Sequence, residues 1–372
     1  MNKILIFSNK KLSSAPRILR EIDALKADFE IHLTGEENTF HSPHAYSCIY
    51  SFRTWGDKIK SRVNRLFGRE ATAAYSGIES YIKRNKISIL IIHEPYFLPL
   101  ASRLKKNCGL KLVFNAHEYH PREFEDIPGW LETRGKQYHR FYQEHLPDVD
   151  LFINVCDSIR LKCLEMYQAD SLVIPNATAF KNLPIVPSTG FPIRLIHHGV
   201  CLPSRKIENM IEIASQLGEN YRLDLMLTSL NGSEQYEAGI NELIASKPNV
   251  SRIPPVPFDL ICDTINSYDI GLCYVEPVNL NYQYGLPNKF YEFIQARLAV
   301  ALSPLIEMKN LAEKYELGVV SEGFDEKDLV AKIRALSPEE INRFKSNSDL
   351  AAGIENHEKY SQLLLDHIKS LQ

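Results

Sequence analysis

Apolar residues along this chain fall into two alternating rhythms. Short runs rich in Ile, Leu and Val are separated by longer stretches in which apolar positions recur every three or four residues. The first kind reads as strands buried on both faces, the second as amphipathic helices. In the first half the runs predict strands at Lys3–Phe7, Phe29–Leu33, Ile87–Ile92, Lys111–Asn115, Leu151–Val155 and Ser171–Ile174, with helices such as Pro16–Leu25 and Asp157–Tyr167 between them. The rhythm then restarts. Strands are expected at Ile193–His197, Leu223–Thr228, Val250–Ile253, Ile270–Cys273, Ala299–Leu302 and Gly318–Val320, and helices at Lys206–Leu217, Phe258–Ser267 and Asn288–Ala296. Such alternation implies an α/β chain with parallel sheets covered on both faces. Between the halves, Asn176 to Phe191 has no period and holds Pro184, Pro187, Ser188 and Gly190, so it reads as a linker.

The stretch Leu286-Pro287-Asn288-Lys289-Phe290-Tyr291-Glu292-Phe293 sits at a loop-to-helix junction. Pro287 suits the first helical positions and Asn288 can cap free backbone N–H groups. Phe290, Phe293 and Ile294 recur at helical spacing and would face a core, while Lys289 and Glu292 would point out near the helix start. A helix N-terminus with an adjacent cation attracts phosphate. A carboxylate one turn in is placed to accept hydrogen bonds from a ribose diol. The same residues also describe an ordinary capped helix with a surface Lys–Glu pair.

With the strand before it and the apolar run Leu298–Leu302 after it, this segment resembles the donor-binding segment of GT-B glycosyltransferases, particularly retaining family 4. The resemblance implies two Rossmann-like domains with parallel sheets facing across a cleft. An N-terminal acceptor domain would span 1–185 and a C-terminal donor domain 190–355, with a last helix, about 356–372, packing back on the first. It implies that Glu292 binds the ribose of a nucleotide-sugar, a UDP- or GDP-sugar ahead of other donors, without cofactor or metal. Many members carry a second glutamate eight residues earlier; here that position is Tyr284. A bacterial polysaccharide-building subgroup reads Pro-Asn-Lys before the helix and tends to lack that glutamate.

Further matches follow from the same resemblance. His198-Gly199 ends a strand and Arg205-Lys206 precedes the next helix, matching the turn that holds the diphosphate, although Val200 stands where many relatives carry Arg. Two cations at a helix start oppose the helix dipole, and fixed cations would stabilise a departing pyrophosphate. Val256 would border the nucleobase; Phe258 is expected in the core. Asn115-Ala116-His117-Glu118 closes a strand in the first half, and His117 matches the histidine that contacts the transferred sugar. Glu118, Arg122, Arg17, Lys10 and His93 are candidates for the acceptor. His93, His117, His120, Glu94 and Glu118 sit on separate loops without metal-ligand spacing, so no metal site is expected.

Composition narrows the classes. Charged residues make up 24% and the net charge is -3, so no basic field argues for a nucleic-acid partner. The seven cysteines include no CxxC pair and read as reduced thiols in a cytoplasmic protein. The first apolar run is too short for a signal peptide, and no run spans a membrane. A GxGxxG fingerprint is missing from the first strand–helix loop, which argues against an NAD(P) oxidoreductase. In Trp55–Arg69, apolar residues and Lys58, Arg62, Arg65 and Arg69 occupy neighbouring helical faces. That pattern suits an anionic membrane surface, where a polyprenyl-linked acceptor would lie on the inner face of the plasma membrane, and equally a core-packed helix with a charged exterior. The expected activity is retaining transfer of a sugar to a glycan or lipid-linked acceptor in bacterial surface polysaccharide synthesis. A GT-B nucleotide-sugar 2-epimerase and a non-catalytic sugar-binding partner of a membrane assembly are the alternatives.

Overall fold

The two series of apolar runs form two separate parallel sheets. The computed structural model describes residues 2–8, 15–34, 48–50 and 77–372, with residues 48–50 described as backbone only. The chain divides into one unit of Met1–Pro175 with Tyr360–Gln372, and a second of Asn176–Lys359.

In the first unit the strands are β1 (Lys3–Phe7), β2 (Glu30–Thr34), β3 (Cys48–Tyr50), β4 (Ile89–Ile92), β5 (Lys111–Asn115), β6 (Leu151–Asn154) and β7 (Leu172–Val173). They pair in the order β3-β2-β1-β4-β5-β6-β7, and every pairing is parallel. β3 is not foreshadowed by the apolar rhythm. The second unit holds β8 (Ile193–Val200), β9 (Tyr221–Thr228), β10 (Val250–Ile253), β11 (Ile270–Cys273), β12 (Ala299–Leu302) and β13 (Gly318–Val320), ordered β10-β9-β8-β11-β12-β13. Both orders step outward one way and then jump to the other side of the first strand. Ligands of open α/β sheets bind beyond the strand C-termini at that reversal, here beside β1 and β4 in one unit and β8 and β11 in the other.

The inner strands are legible because they are buried on both faces. β4, β11 and β12 have no exposed residue. In the second unit the sheet separates two apolar clusters. One contains Leu195, Leu223 and Leu225 with the helix Ile207–Leu217; the other contains Ile196, Met226 and Cys273 with the helix Asn288–Gln295. The Asn176–Gly190 segment carries no helix or strand and is stitched to this unit. The Lys181 backbone donates to Gln295 Oε1 at 2.9 Å and accepts from the Arg297 guanidinium at 2.7 Å, and Asn266 donates to the Pro184 carbonyl at 3.0 Å.

One contact sets the depth of the helix Asn288–Gln295. A Cβ built on Gly271 in β11 would lie 2.4 Å from the Phe293 ring, so the ring rests on bare strand backbone. The helix is consequently buried from Lys289 through Gln295. Lys289 and Glu292 were expected to point outward; packing on this side of the sheet turns them inward instead. Phe258 is 54% exposed and is not a core residue; the short 3-10 turn that carries it, Phe258–Leu260, has no buried residue.

Gly271→Ala is expected to cost about 1–3 kcal/mol by overpacking and to lower the melting temperature by several degrees. Gly239→Ala, on the exposed side of the helix Glu234–Ala245 where a Cβ meets nothing within 4 Å, is expected to be neutral or slightly stabilising. Equal melting shifts for the two variants would contradict the close packing at Gly271.

Candidate functional site

In the second unit a cluster of buried polar side chains gathers at the end of β8. Successive strand residues face opposite sides of a sheet, so His197 and His198 diverge, yet each meets the N-terminal turn of the helix Asn288–Gln295. His197 is 1% exposed. Its Nδ1 lies 2.9 Å from the Leu272 carbonyl, which can only accept, so Nδ1 carries the proton and Nε2 is bare. Lys289 Nζ sits 3.1 Å from that Nε2 and donates to it. On the other face, His198 Nε2 lies 3.2 Å from Glu292 Oε2, off the line of an ideal hydrogen bond. The His198 ring packs edge-on against Phe293 at 5.4 Å.

Burial decides the charge states. Desolvation brings Lys289 down to about 8, with Cys273 and Glu292 pulling upward and the Arg205 charge pushing down. His197 falls well below its ordinary value, from burial first and the Lys289 charge second. The same two causes bring His198 to about 3. Both rings are therefore neutral near pH 7, and the positive charge of the cluster resides on Lys289.

Gly199 makes room for that cation. Its φ is +144°, and a Cβ there would stand 3.0 Å from Lys289 Nζ. Arg205, half-buried in the 3-10 turn Pro203–Arg205, lies 5.2 Å over the Tyr282 ring, and its charge reaches both Lys289 and His197. Lys206 is differently engaged: it pairs with Glu276, which also accepts from Asn209 at 3.0 Å. Pro287, not Asn288, occupies the cap position of the helix, and no side chain caps it. The Asn288 side chain instead bonds Asn176, because the segment entering this unit runs alongside. Val256 is half-buried against the apolar cluster beneath the site.

In the first unit a second cluster forms where β1, β4 and β5 end. His93 is 1% exposed, with Nδ1 3.0 Å from His117 Nε2 and Nε2 3.1 Å from Glu21 Oε2. Expected at the acceptor, His93 is instead enclosed behind His117. Glu21, 4% exposed on the helix Pro16–Leu25, also accepts from Asn115 Nδ2 at 2.9 Å. Arg17 donates to the His117 carbonyl at 3.2 Å; burial lowers its pKa and the Glu118 charge opposes that. His117 and Glu118 are half-buried, and Arg122 is exposed and paired with Glu125. Glu94 accepts from Ser8 Oγ at 3.3 Å. His120 lies in the core with Nδ1 2.9 Å from the Tyr142 hydroxyl. Lys10 and Trp55–Arg69 lie outside the described residues. Among the described residues no group of three or more His, Cys, Asp or Glu could hold a metal, and no helix is long and apolar enough to cross a membrane.

Sequence reading reached Lys289, Glu292, Gly199, Arg205 and His117. It gave no role to His197, His198 or Glu21. Two polar residues in succession inside an apolar strand were a usable signal for the histidine pair. Glu21 offered none, since a glutamate in an amphipathic helix looks like any solvated one.

No protein-family model matches this chain, and no curated protein matches it in sequence. Solved structures do match. Anabaena HepE in complex with UDP superposes with a TM-score of 0.72 at 12% identity, covering 100% of both chains. Sucrose-phosphate synthase from Thermosynechococcus elongatus gives 0.69 at 14%, covering 100% of this chain and 99% of that one. An E. coli structure described as trehalose-6-phosphate bound with UDP-2-fluoro glucose gives 0.65 at 14%, with coverage of 100% and 99%. The likeness gives the fold class: GT-B, an α/β chain of two Rossmann-like units.

Lys289 has a folded-state pKa of about 8, below its value in an unfolded chain. The folded state therefore binds fewer protons between the two, and this lysine's cost to stability is relieved as pH rises from 8 toward 10.5. Wild type is expected to gain stability relative to Lys289→Met over that window, measured by urea denaturation. A difference that stays flat with pH would contradict the buried cation.

Proposed function

We propose that this chain is a glycosyltransferase that takes a sugar from a nucleoside-diphosphate donor. The observation that carries the reading is the buried lysine and buried glutamate one helical turn apart, each facing a neutral histidine, at the sheet reversal of the second unit. Burying a lysine costs several kcal/mol unless something answers its charge. A diphosphate does so, and the backbone N–H groups of the same helix start favour it too.

In this reading Lys289 and Arg205 hold the diphosphate, Gly199 lets it approach the backbone, and Pro287 and Asn288 set the helix start from which N–H groups point. Lys206 acts through Glu276, placing the turn. Glu292 accepts from the ribose hydroxyls, oriented by His198, and Val256 walls the base. Positive charge gathered at the diphosphate stabilises it as it leaves with the nucleotide. In the first unit His117 meets hydroxyls of the transferred sugar, while Glu118, Arg122 and Arg17 serve the acceptor. The solved structures described with UDP or UDP-2-fluoro glucose support a uridine donor first, with a GDP-sugar second. Retention of configuration, a glycan or lipid-linked acceptor and a place in bacterial surface polysaccharide synthesis complete the proposal.

Thermal denaturation with UDP, GDP, ADP, CMP and dTDP and their sugars tests it. One nucleoside diphosphate is expected to raise the melting temperature, by about 2.7 kcal/mol of added stability at one hundred times its Kd. Glu292→Ala should lose most of that shift while remaining folded. No shift with any nucleotide would sink the donor site.

A further inference from the structure

The cluster in the first unit has an order that the proposed activity does not by itself require. Glu21, His93 and His117 form a line from the interior outward. Glu21 and His93 side chains are 2% and 0% exposed, and His117 is half-buried. Three elements supply them: the helix Pro16–Leu25, the end of β4 and the end of β5.

We propose that Glu21 and His93 are positioning residues that hold His117 in one tautomer, with its proton on Nε2 and its lone pair on Nδ1. A carboxylate offers only acceptors. Glu21 Oε1 takes the Asn115 amide N–H at 2.9 Å, and Oε2 faces His93 Nε2 at 3.1 Å. That separation is off the line of an ideal hydrogen bond, yet it sets a carboxylate oxygen against a ring nitrogen between two fully buried side chains. The favoured arrangement puts the His93 proton on Nε2. His93 Nδ1 is then bare, and His117 Nε2, 3.0 Å away, must donate to it. Two bare nitrogens at that distance would repel, and two protonated ones would clash.

The consequence at the outer ring is chemical. A histidine presenting Nδ1 as a lone pair accepts a hydrogen bond from a hydroxyl; in the opposite tautomer it could only donate there. A proton that arrives at Nδ1 makes an imidazolium whose charge Glu21 balances through His93. Other charged groups also bear on this ring. The Arg17 guanidinium sits on the His117 carbonyl at 3.2 Å, Glu118 is adjacent in the chain, and Glu94 accepts from Ser8 beside the same strand ends. At Nε2 the contact that bears on the tautomer is His93 Nδ1, 3.0 Å away. That the partner of Nδ1 is a sugar hydroxyl rests on the function proposed above; the tautomer itself does not.

Histidine-selective 15N labelling of the full chain reads the tautomer directly, with the His117 resonances assigned by their loss in His117→Gln. Wild type is expected to show His117 protonated on Nε2. In Glu21→Gln the carboxamide can turn an N–H toward His93 Nε2, moving that proton to Nδ1, and the His117 pattern is expected to reverse toward protonation on Nδ1. A purely structural Glu21 would leave the pattern unchanged, and an unchanged tautomer in folded Glu21→Gln overturns the proposal. So does an Nδ1-protonated His117 in wild type, a measurement that needs no variant to fold. Protonation on Nε2 in a protein that no nucleotide stabilises would support the relay and sink the donor reading separately.

Discussion

Everything assigned to the second unit depends on how closely one helix lies on one sheet. Phe293 rests on the bare backbone of Gly271, and the helix Asn288–Gln295 is therefore buried all round. A lysine and a glutamate that would sit in water on a shallower helix are driven against the end of β8. Sequence provides for that consequence in adjacent residues: His197 accepts from Lys289, His198 faces Glu292, and Gly199 leaves the space beside the ammonium. The cost of holding a cation there is the physical reason to expect an anion. Burial that penalises the empty site strengthens the attraction once a diphosphate enters, because the same low dielectric that isolates Lys289 also removes competing water.

The two units use the same device with different chemistry. Each sheet reverses its strand order beside its first strand, and each places polar side chains at that reversal. In the second unit these include a buried cation, Lys289, which the proposed function gives to phosphate. In the first a carboxylate stands behind two histidines, the outer of them half-buried. The proposed function assigns negative charge to the cation and hydroxyls to the outer histidine.

Much of this was legible in the sequence, for identifiable reasons. β1, β5 and β10 to β13 fall on the residues expected for them; β11 and β12 are buried on both faces, which leaves an almost unbroken apolar signature. Lys289 and Glu292 stood out by their place at a helix start. Their inward direction did not, because helical periodicity assumes one wet face and this helix has none. Asn288 looked like a cap, but its side chain is taken by Asn176, 112 positions away in the chain, a pairing no local pattern encodes. Phe258 looked like core by composition and is exposed by position. His93 read as a candidate for the acceptor, and only the meeting of three elements shows it enclosed between Glu21 and His117.

The central claim, that Lys289 is a buried cation waiting for a diphosphate, is tested most directly by calorimetry. The nucleoside diphosphate selected by thermal stabilisation is titrated at pH 8.5 in two buffers of different ionisation enthalpy. At that pH part of the Lys289 population is neutral, and a bound diphosphate favours the charged form. Binding is expected to draw a fraction of a proton from the buffer, and Lys289→Met is expected to abolish that uptake. Binding with no proton uptake in wild type, or uptake unchanged in the variant, would contradict the assignment of Lys289 to the phosphate.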